Sequence, residues 1–99
     1  MSTNTGVIPG YSYANITTQT TTVLRTGAGI LHTITFNNPT ATAVVTIYDN
    51  TAASGSALIG TITVPTSPLP ITLKYDAVFS TGLTVKTATA TCDITVTYV

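Results

Sequence analysis

The chemistry open to this chain rests on very few side chains. It has one histidine, His32, one cysteine, Cys92, and three carboxylates, Asp49, Asp76 and Asp93, with no glutamate at all. A histidine can serve as a general base or a metal ligand, a thiolate can attack, and paired carboxylates can move protons or bind calcium with loop carbonyls. Each of these roles needs partners at a workable spacing. His32 has no second histidine or glutamate to join it. It lies in phase with Ile30, Ile34 and Phe36, which predicts a buried histidine bonded to backbone. Cys92 is in phase with Ile94 and Val96 and reads as a small core hydrophobe. Asp49 opens the turn Asp49-Asn50-Thr51, where its carboxylate would accept backbone N–H bonds. Asp76 follows Tyr75 between two apolar stretches and would pair with an arginine or a neighbouring subunit. Nothing in their spacing marks an acid–base pair or a calcium loop. The expectation is a non-enzymatic protein with no catalytic, cofactor-binding or metal-binding residues and no cofactor.

The elements that would position these residues are strands. Threonine supplies 25 of the 99 residues, and with valine it is stiff at χ1 and favours extended chain. Period-two alternation recurs along the chain. Ala43, Val45 and Ile47 share a face, as do Leu58, Gly60, Ile62 and Val64, with Thr61 and Thr63 opposite. Ile71, Leu73 and Tyr75 point away from Thr72 and Lys74, and Leu83 and Val85 away from Thr84 and Lys86. Cys92, Ile94, Val96 and Tyr98 alternate with Thr91, Asp93, Thr95 and Thr97. Turn residues separate these runs at Asn37-Asn38-Pro39, Asp49 to Gly55, Pro65 to Pro70 and Ser80-Thr81-Gly82. Tyr11 to Ile16 and Thr20 to Arg25 add one or two strands upstream. The pattern predicts an all-β fold: an antiparallel two-sheet β-sandwich, jelly-roll-like, of about seven or eight strands. Residues 1–13 would form a flexible N-terminal arm and residues 14–99 a single β-sandwich domain.

Charge narrows the function classes. Three cations and three carboxylates make up the whole charged inventory, for a net charge of zero, against about a quarter of residues in an ordinary soluble domain. There is no basic stripe for nucleic acid. No apolar run approaches the roughly 18 residues of a membrane helix. The start, Met1 to Gly6, has neither the basic nor the apolar region of a secretion signal, so synthesis in a cytoplasm is expected, and the sequon Asn15-Ile16-Thr17 carries little weight. Strand edges with so few charges invite pairing with another chain, and zero net charge removes the repulsion that would oppose it. A homo-oligomer is expected. The pairs Thr33/Thr35, Thr61/Thr63 and Thr95/Thr97 raise an ice-binding alternative, but they come from scattered strands in a chain without a repeat.

The stretch from Thr26 to Val99 resembles small β-rich virion proteins of tailed bacteriophages. The residues that carry the resemblance are Thr26-Gly27-Ala28-Gly29-Ile30-Leu31-His32 and Val45-Thr46-Ile47-Tyr48-Asp49-Asn50-Thr51-Ala52-Ala53-Ser54-Gly55, then Leu73 to Val85 and Asp93 to Tyr98. The resemblance implies a head decoration (cement) protein or a fibre-like component, located in the virion, with no catalytic residues to carry over. Its partners would be the major capsid protein or another virion protein, with no nucleic acid and no membrane. Three-fold sites on icosahedral shells favour a trimer, although no residue dictates that number. The alternative is a fibre, spike or collar module that attaches to host surface glycans through Tyr11, Tyr13, Tyr48 and Tyr75.

Overall fold

The computed structural model describes residues 10–99. Eight strands follow one another: β1 (Ser12–Ile16), β2 (Thr21–Thr26), β3 (Gly29–Asn38), β4 (Val44–Tyr48), β5 (Leu58–Thr63), β6 (Ile71–Phe79), β7 (Gly82–Ala88) and β8 (Asp93–Tyr98). They form two antiparallel four-stranded sheets, β1-β8-β3-β6 and β2-β7-β4-β5. The pairs β1·β8, β2·β7, β3·β6 and β4·β5 are nested, as in one long hairpin with its tip between β4 and β5. Rolling that hairpin over sends alternate pairs to opposite sheets. New ladders then form between β8 and β3 and between β7 and β4. This is the jelly-roll arrangement, so the expected sandwich is present with eight strands.

The two inner faces enclose the core. Leu31, Ile34, Ile47, Phe79, Val85 and Ile94 are all fully buried, and β-branched side chains fill much of the space between the pleated surfaces. Cys92 lies within this core as expected. Thr84 faces away from Leu83 and Val85, yet it too is fully buried. Residues after β4 fold over it, and its hydroxyl donates to the Asn50 carbonyl at 2.7 Å. Thr87 is also buried, and its hydroxyl bonds the Thr18 carbonyl at 2.7 Å while accepting from the Thr20 N–H at 2.9 Å. That hydroxyl fixes the crossing from one sheet to the other.

Three expectations about facing and boundaries are corrected. His32 is not a core residue in phase with Ile34 and Phe36. It is the extra residue of a β-bulge, because Leu31 pairs Tyr98 and Thr33 pairs Thr97. The extra residue shifts the phase, so Leu31, Ile34 and Phe36 point inward while Ile30 and His32 do not. Leu58 leaves the face it was expected to share with Gly60, Ile62 and Val64. A bulge at Ile59, between the pairs Ile47↔Gly60 and Tyr48↔Leu58, turns Leu58 out to half exposure and packs Ile59 against the core. Finally, Ser12 and Tyr13, assigned to the arm, belong to β1 and pair with Tyr98 and Thr97. The rest of that arm, residues 1–9, lies outside the described residues.

Candidate interaction face

The outer face of sheet β1-β8-β3-β6 gathers most of the residues singled out by type. Register arranges them in cross-strand rows. Asn15, Thr95, Thr35 and Thr72 stand side by side, and Tyr13, Thr97, Thr33 and Lys74 form the next row. Beyond the bulge, Ile30 exchanges both backbone hydrogen bonds with Val99 and pairs with Val78. These three make an apolar strip, with Val78 75% exposed. Tyr11 and Tyr13 flank it on the β1 side, Tyr13 at 74% exposure.

The hydroxyls on this face bond one another. Thr33 and Thr97 meet Oγ1 to Oγ1 at 2.5 Å, and Thr35 and Thr72 at 2.9 Å. Asp93 accepts from the Nδ2 groups of both Asn15, at 2.6 Å, and Asn37, at 3.1 Å. Asn15 Nδ2 also donates to the Ile94 carbonyl, so the amide of the sequon is held within the sheet. Two of the three threonine pairs noted in the sequence therefore share a face. Of their hydroxyls, those of Thr33 and Thr97 bond each other, that of Thr35 bonds Thr72 and that of Thr95 accepts from Asn37 Nδ2; the third pair, Thr61/Thr63, sits in the other sheet.

His32 and Asp76 meet at the centre of this face although 44 residues separate them, with Nδ1 and Oδ1 2.5 Å apart. Two stacked bulges bring them together. Tyr75 and Asp76 together oppose His32, because Leu31 pairs Ala77 and Thr33 pairs Lys74. Asp76 accommodates the irregularity with φ +47°, a left-handed conformation that aspartate tolerates better than most residues. Lys74 Nζ lies 3.5 Å from the other carboxylate oxygen, and the Tyr11 ring stacks on His32 with centroids 4.0 Å apart and planes within 7°. Asp76 thus pairs with a histidine and a lysine, where an arginine or a neighbour had been expected. The sequence held no local signal for this partnership. Tyr75 points inward and packs against the core, where burial raises its pKa.

Asp49 has a structural place on another part of the molecule. As expected it accepts backbone N–H bonds, but from the β6–β7 turn and not from its own. Thr81 N donates at 2.8 Å, Ser80 N at 3.0 Å and Gly82 N at 3.3 Å. The bonds from Thr81 and Ser80 hold its pKa below the usual 3.8, against a smaller opposing effect of burial. The His32 hydrogen bond likewise holds the pKa of Asp76 down, also against desolvation, with the nearby charges of His32 and Lys74 assisting.

A depressed carboxylate pKa contributes stability that is fully present above the unfolded value and is lost as pH falls through the folded one. Both aspartates therefore contribute stability that is present at neutral pH and lost as pH falls below the ordinary carboxylate value of 3.8. Urea titrations of wild type and Asp49→Asn should show the larger stability gap at neutral pH, closing as pH drops below 3.8. A gap that stays constant with pH would show that the turn does not depend on the ionised carboxylate.

Among the described residues there is no concave pocket and no group of three or more metal-ligating side chains. Cys92 is held away from His32 inside the sandwich, where the Thr40 N–H contacts its Sγ at 3.2 Å. Comparison with protein-family models, with curated proteins and with solved structures returned no match.

Proposed function

We propose that this protein is a non-enzymatic structural component of a bacteriophage virion, a decoration or cement protein that stabilises the head through contacts with the capsid. The observation that carries this reading is the outer face of sheet β1-β8-β3-β6. It is broad, almost without net charge, and bears Tyr11, Tyr13, Ile30, Val78 and Val99 exposed together. Exposed apolar side chains clustered on one face of a domain this small are suited to contact with another protein. Hydroxyls that already bond one another lose little solvation when such a face is covered. The phage-like sequence blocks supply the kind of partner, and the jelly roll is an architecture that shell proteins use, although it also serves lectins.

Particles lacking the protein should release their genome at lower temperature or under milder osmotic shock than complete particles. Adding the wild-type chain should restore them, whereas Val78→Asp should fold normally and restore them poorly. Unchanged resistance of the depleted particles would refute the cementing role. Free Tyr13, at 74% exposure beside Thr97, supports a second reading as a glycan-binding module. Tyr75 no longer contributes to it, because it packs inward. Retention on host cells that Tyr13→Ala abolishes would favour that module over the shell role.

A further inference from the structure

Every two-sheet sandwich leaves four edge strands, and here they are β1 and β6 in one sheet and β2 and β5 in the other. An edge strand presents unpaired N–H and C=O groups, and natural sheets blunt such edges with bulges, charges or proline. Three of the four edges are blunted in this way. In β6 the extra residue falls at Tyr75-Asp76, and the strand carries Lys74 and Asp76. β2 carries an extra residue at Leu24, between the pairs Val23↔Thr84 and Arg25↔Leu83, and presents Arg25. β5 carries its extra residue at Ile59. Each bulge lies on the edge strand itself, where it bends the strand and interrupts the flat ladder a newcomer would need.

β1 has none of these features. Its five residues pair with β8 in unbroken register from Ser12↔Tyr98 to Ile16↔Ile94. From Gly10 to Leu24 the chain contains no charged residue and no proline. Among the described residues, no backbone hydrogen bond outside the sheet ladder involves residues 12–16.

We propose that the free edge of β1 pairs with β1 of a second copy of this chain, antiparallel about a two-fold axis, joining two four-stranded sheets into one of eight strands. Three observations point to a second copy as the occupant. First, among the described residues each protomer has a single unblunted edge, and one edge per protomer closes only as an isologous pair; a ring of three needs two different edges on each protomer. Second, an axis through Ala14, the middle residue of β1, pairs all five residues and sets Tyr13 opposite the partner's Asn15. Third, neither this strand nor the chain as a whole carries net charge that would oppose the approach. Side chains on the outer face of the sheet would then run on across the joint, and the exposed Tyr13 would gain a neighbour across the strands. The pairing rests on the geometry of the edges and stands or falls apart from the capsid reading.

The test is sedimentation of the full chain over a wide concentration range, combined with amide hydrogen exchange. The expected result is a reversible dimer of twice 10.2 kDa. Alternate amides within residues 12–16 should become protected as the dimer forms, since every second residue of an edge strand turns its N–H outward. The double variant Tyr13→Lys with Asn15→Lys sets like charges opposite one another across the joint. It should raise the dissociation constant by about tenfold or more while keeping the circular dichroism of the wild type. Thr61→Lys, on the β5 edge, should leave the dimer intact. A chain that stays monomeric would overturn the proposal, as would an oligomer unmoved by the double variant. Protection of the outward β1 amides in the monomer would also overturn it, since the chain's own residues 1–9 would then occupy the edge.

Discussion

Replacing Phe79 with alanine is expected to lower the unfolding free energy by about 3–5 kcal/mol. Phe79 ends β6, has no solvent exposure and sits where β3, β6 and the last residue of the chain converge. Truncation removes a ring's worth of burial and leaves a cavity that rigid strands on both sides collapse into poorly. A domain of this length has only about 5–15 kcal/mol in total, so the loss takes a large share of it. With about 4–8 °C per kcal/mol at this size, the melting temperature should fall by tens of degrees, or the chain should fail to fold. Urea or thermal unfolding of the variant measures it. A loss below about 1 kcal/mol would mean that the ring does not fill the sandwich interior as described.

Gly29→Ala should be the next most damaging change, at about 1–3 kcal/mol. Gly29 opens β3 and pairs with Phe79. A Cβ on it would lie well inside contact distance of the Val99 carbonyl oxygen and would meet the Phe79 ring at 2.7 Å. The Phe79 ring is fully buried in the core, so relief must come on the Val99 side. Val99 would swing away and break its paired hydrogen bonds with Ile30, both 2.9 Å. Hydrogen exchange at Ile30 and Val99 should therefore accelerate together, ahead of the rest of the sheet. An alanine variant with wild-type stability and undisturbed exchange at both positions would show that β3 and the chain terminus do not approach this closely.

The regular strands were readable by eye. In β8 and β4 the alternation needs no correction, because Cys92, Ile94 and Val96 are buried, as are Ala43, Val45 and Ile47. Reading failed where an extra residue enters a strand. Period two is a local rule, and one inserted residue reverses the face of everything beyond it. His32 and Leu58 leave their expected faces for that one reason; Gly60 follows the bulge at Ile59, but no glycine or proline adjoins His32. The candidate face was legible only in fragments. Its threonines, tyrosines and low charge were visible as composition, but their assembly into rows depends on which strands adjoin. Asp76 reads in the sequence as an isolated carboxylate, while its histidine partner lies 44 residues away in β3, and two bulges set the register that joins them.

By itself the sequence determined the class of solution. Threonine and valine in alternation leave strands as the only economical backbone, since they restrict χ1 and offer one apolar face for burial. The scarcity of charge determined that the surface would be hydroxyl-rich and poorly defended at its edges. The tertiary structure alone decided which edges remained open, because bulges arise where strands distant in sequence must match one another's twist and length. Three edge strands took up that mismatch and became irregular, while β1 matched β8 without it. No property of residues 12–16 taken alone marks them out from the other edges.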